Sequence, residues 1–326
     1  MSDSPLVEAR DLTKRYSVRS RTRKATLTAV DKVDLSVAAG GILALVGESG
    51  CGKSTTGRLL LGLERPTAGT VTVDGRDLAS LPAAGLRALR REMQPVFQDP
   101  YDSLNPRMRI AAILSEPARV HRIDPPPGRT VPELLDLVNL SPDYADRFPH
   151  ELSGGQRQRI AIARAIALDP RFVVCDEPVS ALDVSVQSQV VNLLMRLQRE
   201  LGLAYLFISH DLALVRYLAQ ETAVMYLGRI VERGPTGALF SNPRHPYTQV
   251  LLASVPRPRV DRSRTARPLP AGDLPSPLDR PSGCVFSSRC QLATDRCRTE
   301  IPLLRPVGEP VRLAACHYAE TAAVAA

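Results

Sequence analysis

The sequence predicts an α/β fold with a mostly parallel core sheet. Three observations carry that prediction. Apolar runs of strand length, Ile42-Leu43-Ala44-Leu45-Val46, Phe172-Val173-Val174-Cys175-Asp176 and Tyr205 to Ser209, alternate with helical patterns. Gly47-Glu48-Ser49-Gly50-Cys51-Gly52-Lys53-Ser54-Thr55 fits G-x-x-x-x-G-K-[ST] and lies between a strand and a helix, as a phosphate-binding loop requires. Over residues 184–201, Val186, Val190, Leu193, Leu194, Leu197 and Leu201 fall on one face of an amphipathic helix.

Residues 6–16 read as an opening strand, 17–25 as a polar, basic loop, and 26–37 as further strand. Ala38-Ala39-Gly40-Gly41 turns the chain into the strand before the glycine loop, and Thr56 to Leu63 reads as the helix after it. Val71-Thr72-Val73 is a strand entering a tight Asp74-Gly75 turn. A short helix at 83–91 and a strand from Gln94 to Phe97 follow. From 108 to 168 the pattern is helical, broken by Pro125-Pro126-Pro127-Gly128. After the strand at 205–209 a helix starts at Leu212, and Ala223 to Arg233 forms two short strands around Gly228. Residues 256–283, rich in Pro and Arg, read as a linker or irregular crossing segment.

A chain of 326 residues suggests two domains of ordinary apolar content, 44%. No apolar run reaches membrane-spanning length, and residues 1–20 lack the apolar centre of a secretion signal. The expected location is therefore the cytosol or the cytosolic face of a membrane. The net charge is +8, with basic clusters at Arg15, Arg19, Arg21, Arg23 and Lys24, and at Arg257, Arg259, Arg262, Arg264 and Arg267. Aromatic residues, 4% of the chain with no Trp, do not interleave with them as a base-stacking surface requires, so nucleic acid is not an expected partner.

The loop's chemistry follows from its residues. Gly47, Gly50 and Gly52 let backbone N–H groups close around phosphate oxygens, and the helix start adds partial positive charge. Lys53 brings a point charge to the outer phosphates, and Ser54 is the expected Mg²⁺ ligand with Thr55 beside it. Alone, the loop leaves kinases, GTPases, helicases and transporters open. Asp176-Glu177-Pro178 ends an apolar strand. Asp176 is placed to hold Mg²⁺, and Glu177 to orient and polarise an attacking water. Leu152-Ser153-Gly154-Gly155-Gln156 opens another helix, with Ser153 as a natural N-cap. It is a second anion site without a lysine, which suggests that two chains share each ATP.

With that third motif the sequence resembles the ABC ATPases, over roughly residues 6–240. Leu-Ser-Gly-Gly-Gln is their signature, so Ser153, Gly154, Gly155 and Gln156 are expected to bind nucleotide. Tyr16 matches the aromatic that stacks on adenine. Gln98, in Val96-Phe97-Gln98-Asp99-Pro100, matches the Q-loop glutamine that senses Mg²⁺ and the γ-phosphate. Ser180-Ala181-Leu182-Asp183 matches the D-loop, and His210 the switch histidine. The resemblance implies a cassette at 1–240 with an antiparallel β subdomain and a helical subdomain at about 99–168. It implies ATP and Mg²⁺ as cofactors, catalysis by Glu177, His210 and Gln98, metal ligation by Ser54, Gln98 and Asp176, and head-to-tail pairing of two ATPase chains around ATP.

Asn242-Pro243-Arg244-His245-Pro246-Tyr247-Thr248 resembles the opening of the C-terminal extension of oligopeptide and dipeptide transporter ATPases, here 241–326. Gln98-Asp99-Pro100-Tyr101-Asp102-Ser103-Leu104-Asn105-Pro106-Arg107 is also similar to that subgroup, and the basic insert after Tyr16 is more like its F-type subunit. His245-Pro246-Tyr247 is read as a helix-start turn that marks the subgroup, without a part in the chemistry. Cys284, Cys290, Cys297 and Cys316 are separated by five, six and eighteen residues. Four thiolates hold zinc or an iron–sulfur cluster. The spacing lacks zinc's tight C-x₂₋₄-C pair and resembles importer ATPases with a [4Fe–4S] centre, with His317 as an alternative ligand.

The expected function is therefore ATP hydrolysis that energises di- or oligopeptide import from the cytoplasmic face of the cell membrane. The implied partners are a second, different ATPase chain, two permease subunits and an extracytoplasmic peptide-binding protein. The alternatives are an importer of another solute such as nickel, or a non-transport ABC ATPase of DNA repair or translation.

Overall fold

The computed structural model of the protein describes residues 4–19, 24–99, 103–254, 276, 278 and 280–321. Its centre is an eight-stranded sheet in the order β11-β12-β10-β9-β3-β8-β7-β6. The strands are β3 (Ile42–Val46), β6 (Met93–Val96), β7 (Phe172–Asp176), β8 (Ala204–Ser209), β9 (Glu221–Tyr226), β10 (Arg229–Pro235), β11 (Arg305–Val307) and β12 (Arg312–Ala314). The five from β9 to β6 are parallel; β10, β12 and β11 continue the sheet antiparallel.

The apolar runs become parallel strands because both of their faces are covered. On β3, Leu43 and Leu45 enter one core and Ala44 and Val46 the other, following the two-residue alternation of side chains. The first core is closed by α1 (Lys53–Leu60), through Leu59 and Leu60, and by a four-stranded antiparallel sheet. That sheet is β2 (Lys24–Val37), β1 (Val7–Arg19), β4 (Ala68–Val73) and β5 (Arg76–Asp77). The second core takes in Ile160 and Ile162 of α5 (Gly154–Ile166) and the apolar face of α6 (Val184–Leu201). On α6 the expected Val190, Leu193, Leu194 and Leu197 are buried together with Val191, while Val186 and Leu201 are half-buried.

The segment expected to be helical divides at its prolines and glycines. After α2 (Ala83–Leu89) come α3 (Ile110–His121) and α4 (Val131–Leu137), then two 3₁₀ turns, Pro142–Asp146 and Pro149–Glu151, and α5. The basic stretch 17–25 is not simply a loop. Ser17, Val18 and Arg19 pair with Thr26, Ala25 and Lys24, since a hairpin satisfies the backbone groups that a free loop leaves to solvent. Arg21 and Arg23 lie outside the described residues, as do Pro100, Tyr101 and Asp102, the arginine cluster 257–267 and most of the segment 256–283. Beyond α7 (Leu212–Leu218) and α8 (Thr236–Ser241), α9 (Pro246–Ala253) and α10 (Asp295–Thr299) belong to the C-terminal region. That region joins the central sheet: Ala314 and Leu313 of β12 face Glu232 and Arg233 of β10. Among the described residues no helix is long and apolar enough to cross a membrane.

The expected [4Fe–4S] centre on Cys284, Cys290, Cys297 and Cys316 is overturned. The four thiols and His317 do line one small cavity, about 20 Å³. Among the described residues, however, no group of three or more His, Cys, Asp or Glu is arranged to hold a metal ion. The cysteines serve as small core residues instead. Cys284 and Cys297 belong to the larger core, the Cys284 N–H donates to the Cys297 carbonyl at 2.8 Å, and Thr294 donates to the Cys297 sulfur at 3.6 Å. Burial pushes the Cys284 thiol up to about 11 and raises those of Cys290 and Cys316. His317 turns its Nε2 to the Glu300 carbonyl, 3.1 Å away. Cys297 lies in α10 and Cys290 packs beside it on the larger core, whereas Cys316 packs against a separate cluster of Val307, Ala314 and Ala319.

Candidate active site

The site forms at the carboxyl ends of the parallel strands, where β3, β7 and β8 each hand over to a loop. The glycine loop leaves β3 and enters α1 at Lys53. Its glycines are required by contact: a Cβ on Gly47 would lie 2.2 Å from the Met225 carbonyl oxygen, and one on Gly52 2.2 Å from that of Ala29. Lys53 is buried, and its Nζ donates to the carbonyls of Gly47 at 2.8 Å and Glu48 at 3.0 Å, so the lysine closes the loop on itself. Cys51 is buried behind the loop, whereas Ser49 and Gly50 are exposed at its tip.

Ser54 Oγ donates to Asp176 Oδ1 at 3.0 Å, joining the loop to the end of β7. Burial raises the Asp176 carboxyl above the usual range, and the Ser54 hydrogen bond works in the opposite direction. A hydroxyl and a carboxylate in contact are hard oxygen donors of the kind that Mg²⁺ takes, so this pair fits that ion. The next residue, Glu177, has a left-handed backbone, φ 46°, with its N–H bonded to the Ile208 carbonyl of β8. Its Oε2 lies 3.4 Å from Gln98 Nε2 and 3.2 Å from His210 Nδ1. An ionised carboxylate only accepts, so the His210 contact requires a hydrogen on Nδ1. Three loops that are far apart in sequence thus converge on Glu177.

Tyr16 stands beside the start of α1. Its hydroxyl donates to Glu64 at 2.5 Å and interacts with Thr55, and Lys14 Nζ lies 5.1 Å from its ring centre. The signature opens α5 as expected: Ser153 Oγ accepts from Gln156 N–H, and Gln156 Oε1 accepts from Ser153 N–H. Ser153 is exposed. Gly154 is half-buried, whereas Gly155 is needed for packing within its own chain, because a Cβ there would come 2.4 Å from Val186 Cγ1. The D-loop runs from Ser180, whose hydroxyl donates to the Glu177 carbonyl, to Asp183, which caps α6 by accepting from Val186 N–H.

Sequence reasoning missed two contacts. The Tyr247 hydroxyl accepts from the Glu48 N–H of the glycine loop at 2.9 Å, and the Arg289 guanidinium meets both Glu48 carboxylate oxygens at 2.9 and 3.1 Å. The sequence marks Tyr247 only as part of the His-Pro-Tyr turn. For Arg289, which is 241 residues from its partner, it carries no signal.

The comparisons agree with this geometry. Residues 30–180 match the family described as ABC transporter, and residues 231–297 the one described as oligopeptide/dipeptide transporter, C-terminal region. A probable peptide ABC transporter ATP-binding protein of Sinorhizobium fredii is 51% identical over all of this chain and 93% of its own length. A putative peptide import ATP-binding protein of Brucella ovis is 50% identical over 97% of this chain and 98% of its own. Among solved structures, the dimeric ATP-binding cassette MJ0796, in a post-hydrolysis state with ADP and phosphate, superposes with a TM-score of 0.62 and 28% identity over 71% of this chain and 98% of its own. The chain therefore belongs to the ATP-binding proteins of ABC transporters, in the branch that carries the oligopeptide/dipeptide C-terminal region.

Proposed function

We propose that this chain binds ATP with Mg²⁺ and hydrolyses it to energise import of di- and oligopeptides through a membrane ABC transporter. The observation that carries the reading is similarity to peptide-import ATP-binding proteins along the whole chain, C-terminal region included. A repair or translation ATPase would give no reason for that region. The chain works at the cytoplasmic face of the membrane, with a second ATPase chain, two permease subunits and an extracytoplasmic peptide-binding protein.

In this mechanism the amides of the glycine loop and Lys53 bind the phosphates, and Tyr16 supports the base. Ser54 and Asp176, with Gln98, hold Mg²⁺, which neutralises charge on the phosphates. Glu177 Oε2 takes the proton of the attacking water, with Gln98 and His210 orienting the carboxylate. The exposed Ser153 end of α5 serves the nucleotide held by the other ATPase chain, and the dimeric state of the similar cassette MJ0796 supports that arrangement. In mixed complexes of Ser153→Ala and unmodified chains, the lost turnover is therefore expected at the site whose glycine loop belongs to the unmodified chain.

The test of the solute is transport. Vesicles containing the assembled transporter and internal ATP are expected to accumulate a labelled oligopeptide, and those carrying Lys53→Ala are not. Accumulation of nickel without peptide would replace this reading by its alternative.

A further inference from the structure

Between the glycine loop and the C-terminal region lies an aromatic cluster with an arginine at its edge. Tyr226 ends β9, Tyr247 lies in the first turn of α9, and Phe286 follows Cys284. All three are fully buried. Their ring centres are 4.5 Å apart for the tyrosine pair and 5.4 Å for each tyrosine with Phe286. The Arg289 guanidinium carbon lies 6.0 Å from the Tyr226 and Phe286 ring centres. Arg289 is only 9% exposed, and its Nη1 reaches both Glu48 oxygens and the Tyr226 hydroxyl. Burial opposes its charge, but the hydrogen bonds with Glu48 and Tyr226 outweigh that and raise its pKa.

Beside the ion pair, Tyr247 Oη takes the Glu48 N–H. That amide therefore points into the C-terminal region. The carbonyl of the same residue accepts from Lys53 Nζ. Glu48 is thus held at its side chain and its amide by the C-terminal region, and at its carbonyl by the lysine that meets phosphate. A shift of the C-terminal region moves Glu48, and with it the carbonyl against which Lys53 is set.

We propose that Arg289 and Tyr247 are positioning residues of the nucleotide site: through Glu48 the C-terminal region braces the glycine loop and sets its affinity for ATP. The chemistry of hydrolysis sits on Glu177, outside the brace. Releasing it therefore changes nucleotide binding and leaves turnover at saturating ATP in place. The inference rests on the glycine loop being the nucleotide site.

The experiment measures the Kd of a fluorescent ATP analogue for the purified full chain, and KM and kcat in the assembled transporter. Arg289→Ala is expected to raise Kd and KM by about tenfold, within the usual range of coupling between sites, with kcat changed less than about twofold. Tyr247→Phe, which removes one oxygen, is expected to raise Kd about fivefold by stranding the Glu48 N–H. Arg289→Lys keeps a cationic nitrogen for the Glu48 carboxylate and should recover part of the loss. In a Glu48→Gln background, Arg289→Ala should add little, as a double-mutant cycle reads a shared contact. Full additivity, a Kd within about twofold of wild type in both Arg289→Ala and Tyr247→Phe, or kcat falling in parallel with Tm while KM stays fixed would overturn the brace. If Arg289→Ala fails to fold, Tyr247→Phe and Glu48→Gln decide alone, since each alters a single polar group. Lys53→Ala separates the two ideas: unchanged binding there would remove the glycine loop as the nucleotide site, whereas failure of the brace appears only in the other variants.

Discussion

Replacing Glu177 with Gln is expected to leave ATP binding intact and to slow hydrolysis by about 10²–10⁴-fold, the usual contribution of a positioned base. The substitution preserves side-chain length and removes the proton acceptor. Glu177 reaches its place through a left-handed backbone at the end of β7, held by its N–H to Ile208. Gln98 and His210 approach the same oxygen, Oε2, from different loops. They are placed to orient a carboxylate there, and the Gln98 amide cannot replace it as a base. Single-turnover phosphate release, measured beside nucleotide binding, checks the result. Turnover close to wild type with unchanged binding would assign the proton to another group.

Lys53→Ala is expected to act on the other half of the cycle, weakening ATP binding by about a hundredfold, the scale of one or two charge-assisted hydrogen bonds. Two losses combine. The phosphates lose the buried cation, and the carbonyls of Gly47 and Glu48 lose the donor that draws the loop closed. Equilibrium binding of ATP to the full chain is the measurement. A Kd near that of wild type would remove the glycine loop as the nucleotide site. Together the two variants divide the site: one separates chemistry from binding, and the other removes binding first.

The cysteines show how a sound inference from spacing fails. Four cysteines near one another in sequence suggested four ligands around one centre. Folding does gather them around one cavity, but among the described residues no group of three or more His, Cys, Asp or Glu is arranged to hold a metal ion. Ligation depends on thiolate character and on the direction of each sulfur, and intervals along a chain encode neither. The basic stretch after Tyr16 differed from expectation for a related reason. Its composition reads as a loop, yet Ser17, Val18 and Arg19 pair with Thr26, Ala25 and Lys24.

What the sequence determined by itself is the local machinery. A glycine loop needs strand, turn and helix in succession, an N-cap needs its residue at the helix start, and an amphipathic face needs one period. All are written within a few residues of each other, so the loop at 47–55, the capped signature and the buried face of α6 were legible before any coordinates. Only the tertiary structure decided what meets across the sheet. The parallel strands bring Glu177, Gln98 and His210 to one edge, and the added β12 anchors a C-terminal region that reaches back to Glu48. Contacts between residues some two hundred positions apart follow from strand order and packing, which no local pattern specifies.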